Sequence, residues 1–577
     1  MVAIDDLEVP VNLLYPVLKE IKFWLTKIKS RKVVPDYTEL MSQWKNVLKN
    51  GSSHITREDS KHVLFVTGYG LGSHYYLIEP ILINSLRQRG AKISSLVCAK
   101  SLPACELNKN GNNKPKAPLI AREGIFNSTI TSKCNSCTEN VTHVLNELGV
   151  ATHKMSVYIT NDDYKRAESI VKDIDLKKFR SFEFEGISVG EEAFASILRA
   201  TFKGQIGDAP ADEALKKRYL LAGILTTIAY INAFSTLKPD KIVCIHGIYQ
   251  IHGLAVKVAN KLNIPIDVIG GGGIRKNTII ACHGETYHHQ LINEDNSIWN
   301  KRTLSEDEVK QTLKYAEAKR TSGAGVDYLS YHPSPIEDES KLISSLNIDK
   351  RTKIVAVYTN VIWDAQVVYS SNVFDDIFDW LWTTIDAAAL NKNITLVVRI
   401  HPAETRGGIP TKQPMLNEIY KRYPVLPANI RVIPPSSDLS SYTLASLAAL
   451  NIIYGTKMGL EIALLKSPLI VAGETFSRNK GYGYDVKSKD KYVKILQNIE
   501  SFVQHYDEDQ CFDTAVKYAH YLYFRRMLDL PLLSTKEKSG YQTSLSFISL
   551  DFLRPKNMKT LDVICDGILD DKKFYIQ

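Results

Sequence analysis

Short apolar runs of strand length alternate along the chain with longer segments of helical period, and the series occurs twice. In the first half, His62–Thr67, Ile93–Val97, Ser156–Thr160, Lys241–His246 and Ile264–Ile269 read as buried strands. A helix follows the turn after Thr67 and runs through Leu86, and Leu220–Leu237 is a long apolar helix packed on the sheet. In the second half, Lys353–Thr359, Ile394–Ile400, Arg431–Ile433, Asn451–Tyr454 and Pro468–Ala472 read as strands. Helices are expected at Tyr442–Ala448, Met458–Lys466 and Tyr518–Met527. Buried strands alternating with helices predict parallel sheets covered on both faces. The expected fold class is α/β, with two Rossmann-like domains whose parallel sheets face a central cleft. Residues 1–60 form an N-terminal helical extension in this reading, 61–335 a first domain, 340–530 a second and 531–577 a tail. Ligands of such sheets sit beyond the carboxyl ends of the strands. The polar residues that end each run are therefore the candidates for chemistry.

The richest of these junctions lies between Leu450 and Asp485. Strand, tight turn, helix and strand make a βαβ unit, with Gly455, Thr456 and Lys457 in the turn. Backbone N–H groups at such a turn favour an anion. Thr456 adds a hydroxyl, Lys457 a positive charge, and Glu461 a carboxylate able to accept from a ribose hydroxyl. The unit is a cradle for a diphosphate or a phosphate plus sugar, or a structural βαβ unit with a solvated lysine; the pattern alone does not choose.

Three motifs do. RIHPAE at Arg399–Glu404, then PPSSDLSSYTLASLA, then YGTKMGLEIALLKSPLIVAGE together resemble the donor half of the bacterial capsule polysaccharide biosynthesis proteins. These are GT-B glycosyltransferases that include the Kdo transferases, and they are distantly similar to polysialyltransferases with an HP motif. The resemblance spans roughly Lys353 to Asp485. It departs at the turn, where the family carries Ser-Thr or Ser-Ser and this chain has Thr456-Lys457. It implies a nucleotide-sugar donor in the second domain, an acceptor in the first, and a C-terminal tail from Ser534 returning toward the first domain. By residue type and position at these strand ends, donor-binding roles are expected for Arg399, His401, Ser436, Ser437, Gly455, Thr456, Lys457, Glu461 and Glu474, with Arg478 or Lys480 as a further cation. His401 corresponds to the family's donor-phosphate histidine, and the bland alternative is a histidine that fixes the loop before Pro402. No DxD-like site stands out, so neither a catalytic metal nor a cofactor besides the nucleotide-sugar is expected.

In the first half, Gly68-Tyr-Gly70-Leu-Gly72-Ser-His74 follows the first strand. As a dinucleotide fingerprint its third glycine is misplaced, but Gly70, Gly72 and His74 fall where a cleft loop belongs. His246 ends a strand, with Tyr249 and His252 at the start of the next helix. Transfer to a hydroxyl requires a base, and His246 and then Glu285 are the candidates by position and residue type. Gly270–Gly273 makes sense where backbone lies against a ligand or flexes, or as a plain connection. HGETYHH at His283–His289 lacks the HExxH spacing of a zinc helix and reads as cleft or core. Asn360 and Asp364 follow the first strand of the second domain and fall at the same cleft.

Composition narrows the picture only modestly. With 577 residues the chain exceeds one core, and 44% hydrophobic with 23% charged residues is ordinary for globular proteins. A formal charge of +9 suits anionic ligands, while no nucleic-acid motif appears, so no nucleic-acid partner is expected. The start, MVAIDDLEVP, lacks an apolar signal core, and no uninterrupted apolar run suggests a membrane span, so a cytoplasmic protein is expected. Leu14, Val17, Leu18, Ile21, Trp24, Leu25 and Ile28 recur at helical spacing with Lys19, Lys22, Lys27 and Lys29 mostly elsewhere on the wheel. That segment is either an extra helix on the first domain or a basic helix in peripheral contact with an anionic membrane. The eight cysteines are scattered. Cys98, Cys105, Cys134 and Cys137 share one region, but only the last two have the spacing of a zinc pair, which favours separate thiols over a structural metal. Asn108–Lys133 reads as a polar loop or insertion.

Three functions fit. A glycosyltransferase of surface-polysaccharide assembly would use the nucleotide-sugar and a glycan or glycolipid acceptor. A nucleotide-sugar 2-epimerase would keep the cradle but need acid–base carboxylates around C2 of the sugar. A non-catalytic sugar-nucleotide-binding partner of an assembly complex would bind without turnover.

Overall fold

The computed structural model describes residues 37–50, 59–68, 70, 77–107, 132–271, 275–322, 335–364, 372–406, 410–535 and 542–577. Apolar runs with β-branched residues form two sheets. The first uses β1 (His62–Thr67), β2 (Lys92–Val97), β3 (Ala151–Lys154), β4 (Lys241–Ile245), β5 (Ile266–Gly271) and β6 (Thr278–His283). The second uses β7 (Lys353–Tyr358), β8 (Ile394–Arg399), β9 (Ile430–Ile433), β10 (Leu450–Ile453), β11 (Leu469–Val471) and β12 (Tyr484–Asp485). A last strand, β13 (Leu528–Asp529), joins the first sheet beside β6.

The first sheet runs β13-β6-β5-β4-β1-β2-β3, parallel from β3 to β5 and antiparallel at β6 and β13. The second runs β9-β8-β7-β10-β11-β12 and is parallel throughout. Its order is 3-2-1-4-5-6 within the half, the doubly wound arrangement, and the switch point falls between its first and fourth strands. Every residue of β8 is buried, as a strand covered on both faces requires. The side chains of Leu64, Val66 and Ile242 pack with the helix Pro210–Leu237 on one face of the first sheet. That helix is long and apolar enough to cross a membrane by length and composition, but 72% of its most apolar window is buried inside the molecule. It is a core helix, as its packing position on the sheet predicts.

Several elements differ from the sequence reading. Ser156–Thr160 is not a strand: β3 ends at Lys154, Met155–Tyr158 is a 3₁₀ turn, and Thr160 caps the next helix. The hydroxyl of Thr160 accepts from Asp163 N at 3.2 Å, a local bond that competes with strand pairing. Gly270 and Gly271 extend β5, and β6 answers it antiparallel. The chain also reaches the first sheet at Leu528, ahead of Ser534. Helix Glu508–His520 runs into a π turn, Tyr521–Arg526, and its buried Arg526 donates to Gln290 Oε1 at 3.1 Å and Phe574 O at 3.0 Å and pairs with Glu294 at 3.0 Å. One guanidinium thereby ties the crossing segment, the first half and the C-terminus together.

Helix Tyr37–Lys49 buries Leu40, Met41, Trp44 and Val47, with the Trp44 ring edge-on to Phe547 at 5.9 Å. The amphipathic stretch Leu14–Ile28, most of the Asn108–Lys133 insertion, and Gly72, His74, Gly272 and Gly273 lie outside the described residues.

The halves meet on two flanks. On one, Lys412 N donates to Phe202 O at 2.8 Å, Gly204 N to Gln413 Oε1 at 3.0 Å, and Phe202 packs edge-on against Trp363 at 4.9 Å. On the other, the buried Lys480 donates to Ile292 O at 3.3 Å and to Asn296 Oδ1 at 3.2 Å. Between the flanks lie the carboxyl ends of β4, β7, β8 and β10.

Candidate functional site

The first half delivers a histidine on strained backbone. After β4, His246, Gly247 and Tyr249 all have positive φ, +63°, +69° and +66°. Two of these are not glycine, and such strain persists only where surrounding structure fixes it. The His246 ring lies 5.4 Å from that of Tyr249, 5.8 Å from Tyr287 and 5.7 Å from His288. Its Nδ1 is buried and accepts no hydrogen bond among the described residues. Burial pulls the imidazole down to about 4, with Arg199 pulling the same way and Asp364 opposing. The ring is a neutral base at physiological pH, although a base this weak has little driving force for removing a hydroxyl proton.

The second half delivers the opposing groups. Thr359 and Asn360 follow β7, and the Thr359 hydroxyl accepts from His401 N at 3.0 Å. His401 Nδ1 accepts from Ala403 N at 3.1 Å. A neutral imidazole with Nδ1 as acceptor carries its proton on Nε2. Burial, then Arg399 and Lys457, hold His401 down to about 4, so it remains that neutral Nε2–H donor. Gly455 lies so close to Asn360 that a Cβ would stand 3.2 Å from Asn360 Oδ1, an atom that is buried and accepts no bond among the described residues. Lys457 is exposed, and its charge depresses both His401 and His288, which places a cation near imidazoles of both halves.

Asp364 joins the two sides. Its Oδ1 accepts from Tyr249 OH at 3.3 Å and lies 3.9 Å from Arg199 Nε. Arg199 in turn stacks over Trp363 at 4.7 Å. His246, Tyr249, Asp364 and His401 are thus brought to one junction, as expected of them from strand ends. Arg199 and His288 join them without having been singled out for it. Arg199 sits in the last turn of helix Val189–Thr201, where nothing in the local sequence marks it, whereas His288 belongs to the HGETYHH cluster.

Other candidates have structural occupations. Arg399 is buried, and its guanidinium donates to Ser441 Oγ at 3.2 Å, Pro434 O at 2.7 Å and Ser437 O at 3.4 Å, so it shapes the PPSSD loop. Arg406 takes the carbonyl of Ser436 at 2.8 Å, and the Ser437 hydroxyl accepts from Leu439 N at 3.3 Å. Glu461 is engaged on both oxygens, by Lys319 at 2.6 Å and by Tyr442 OH at 2.8 Å. Glu474 and Arg478 form a buried pair at 3.2 Å. The Thr456 hydroxyl accepts from Met458 N at 3.4 Å. The helix after it is only Met458–Ala463, shorter than the reading to Lys466, so its dipole adds little. Lys480 is the clasp described above, and burial lowers it to about 8. Gly70 is a packing glycine: a Cβ would lie 2.4 Å from Cys137 O and 2.7 Å from Val141 N. Glu285 is half-buried and raised by burial, and its charge acts on Cys282 in β6. Among the described residues, no three His, Cys, Asp or Glu side chains are arranged to hold a metal ion.

Two Rossmann-like halves, strand ends facing across a junction, and a C-terminal segment crossing back to the first sheet make up the GT-B architecture. The fold is GT-B. Solved structures similar to this chain include a KpsC β-Kdo 2,4 transferase from Thermosulfurimonas dismutans, 13% identical over 55% of this chain and 87% of that one at a TM-score of 0.32. A UDP-GlcNAc 2-epimerase from Neisseria meningitidis is 10% identical over 80% and 98% at 0.28. The glycosyltransferase SnogD from Streptomyces nogalater is 12% identical over 80% and 99% at 0.22. Similarity this distant assigns no activity. No protein-family model matches the chain, and neither does any curated protein sequence.

Proposed function

We propose that this protein is a glycosyltransferase of surface-polysaccharide assembly, which moves a sugar from a nucleotide-sugar bound by the second half to a glycan or glycolipid held by the first. The observation that carries the reading is the fixed tautomer of His401. Its Nδ1 is occupied by Ala403 N–H, its Nε2–H is free of titration above about 4, and the Lys457 charge lies close enough to act on it. A preorganised neutral donor beside a cation is what a departing nucleotide phosphate needs, because charge develops there as the glycosidic bond breaks. In this reading Gly455, Thr456 and Asn360 line the phosphate side. His246, across the junction, is the group placed to take the acceptor proton, and Asp364 offsets part of the depression that burial imposes on its ring. Tyr249 and Arg199 hold Asp364 in place.

A thermal-shift screen of CMP-, UDP-, GDP- and TDP-sugars identifies the donor, and turnover is then followed with candidate acceptors. His401→Ala and Lys457→Ala each remove a charge-assisted or polar bond worth roughly 1.5–3 kcal/mol, so nucleotide affinity falls about tenfold or more. Release of free sugar without acceptor points instead to epimerase chemistry. Stabilisation with no turnover on any acceptor points to a binding protein.

A further inference from the structure

His283, from the HGETYHH cluster, stands away from the junction, at the edge of the first sheet where β4 and β5 begin. It pairs across the strands with Asp267. Its Nδ1 lies 2.7 Å from Asp267 Oδ1 and its Nε2 3.0 Å from Lys572 O. A backbone carbonyl only accepts, so Nε2 carries a proton. Asp267 is fully buried, with Lys241 Nζ 3.4 Å from its other oxygen. As a carboxylate it too only accepts, so Nδ1 carries a proton as well and the ring is an imidazolium. With that proton on Asp267 instead, the pair would hold the same count, one more than a neutral imidazole beside a carboxylate. Only then do the charges balance: Lys241 also pairs with Asp571, so an ammonium and an imidazolium face two carboxylates. Burial pulls the ring down, but the bond and charge of Asp267 and the bond to Lys572 O outweigh it. His283 is raised above its ordinary value, with Lys241 opposing. The other charges nearby have partners of their own, Lys572 Nζ with Asp566 at 2.9 Å and Lys61 with Asp570 at 3.7 Å, while Glu285 acts on Cys282.

Two of the groups held here, Asp571 and Lys572, belong to the last residues of the chain. Helix Lys559–Asp570 ends at Asp571, whose φ is +54°. Beyond it the Phe574 ring lies 4.4 Å from that of His283 and is seated on Gly567, where a Cβ would stand 2.1 Å from the ring. Phe574 O accepts from Arg526 Nη1 at 3.0 Å. Ile576 N donates to Arg525 O at 2.9 Å, and Ile576 O accepts from Arg525 Nε at 2.8 Å. Both arginines belong to the π turn Tyr521–Arg526, on the segment that crosses between the halves.

We propose that the C-terminal tail, residues 571–577, is a latch that a proton on His283 fastens to the first sheet and, through Arg525 and Arg526, to the crossing segment. When that proton leaves to solvent, one ring nitrogen turns a lone pair toward an acceptor, either the Asp267 carboxylate or the Lys572 carbonyl. The two carboxylates then outnumber the Lys241 ammonium. In the open tail the imidazole titrates at its ordinary value of about 6.5, and in the latched one it titrates higher. The latch is therefore fully fastened below about pH 6.5 and loosens as pH rises through the raised value. The proposal does not depend on the glycosyl-transfer reading.

The test is hydrogen exchange of the full chain, read by mass spectrometry between about pH 6 and 9 and corrected for the intrinsic exchange rate. One proton lost per opening raises the opening equilibrium by up to about tenfold per pH unit within the window. Peptides covering residues 571–577, which include the bonded Ile576 amide, should lose protection with that slope, while β4 and β5 keep theirs. His283→Gln removes the titration and should make protection of the tail independent of pH. Should that variant fail to fold, the unaltered chain decides alone, by whether the slope is present and confined to the tail. Tail protection that is flat across the range, an equal slope in every peptide of the first half, or the parent's slope persisting in His283→Gln would each overturn the proposal.

Discussion

His401 can be tested without knowing any ligand, through proton linkage. The folded ring ionises near 4 against an ordinary 6.5, so between those values the unfolded chain binds a proton that the folded one refuses. Stability from this group is therefore fully present above about 6.5 and is lost as pH falls toward 4. One proton gives a slope approaching ~1.4 kcal/mol per pH unit, and the whole window is worth at most roughly 3 kcal/mol. His401→Asn keeps a side-chain carbonyl able to accept from Ala403 N–H but removes the titration. At pH ~7.5 it should cost no more than about 1 kcal/mol. Below pH ~6 its stability should fall less steeply than that of the unaltered chain, by nearly one proton. Urea unfolding followed by tryptophan fluorescence across this range measures both slopes. His246 is held near 4 as well, so His246→Asn should flatten the curve by a further proton and the double variant by both. Parallel curves for the unaltered chain and His401→Asn would refute the buried, neutral imidazole and with it the Nε2–H donor.

Other outcomes follow from the same contacts. Asp364→Asn should move the imidazole titrations of His246 and His401 further down, since Asp364 opposes both depressions; NMR titration reads this, and unchanged values would sever the link between the halves. Half-exposed Asp364 adds little to stability, so the same variant should unfold within about 1 kcal/mol of the parent. Lys319→Ala leaves the half-buried Glu461 with only the Tyr442 hydroxyl as partner and should destabilise by about 1–3 kcal/mol, while Lys319→Met with Glu461→Gln recovers most of it in the same denaturation assay. Gly70→Ala drives a methyl into the backbone of Cys137 and Val141 and should cost ~1–3 kcal/mol, yet leave nucleotide affinity unchanged in the folded fraction. A Gly70→Ala protein of normal stability that has lost affinity would return Gly70 to the cleft.

The architecture is legible in the amino-acid order, because burial on two faces writes itself into the chain. β7, β8 and β10 are mostly apolar runs, and each leads into polar residues that must stand at the sheet's carboxyl edge. That logic makes His246, Tyr249, Asp364 and His401 candidates for one cleft, and the structure brings their side chains to one junction. Ser156–Thr160 failed because an apolar run that short is decided by its neighbours: β2 pairs with Ala151–Lys154 and the Thr160 cap claims the rest. Packing alone settles which polar groups face the junction and which are consumed inside it. Arg399 and Glu461 carry suitable chemistry at suitable places, but the carbonyls of the PPSSD loop take the one and Lys319, far away in sequence, takes the other. Arg199 reaches the junction from the last turn of a helix with no local mark of it. A motif specifies where a side chain begins. Its partners come from distant segments, and in a low-dielectric junction those partners set its charge and its availability.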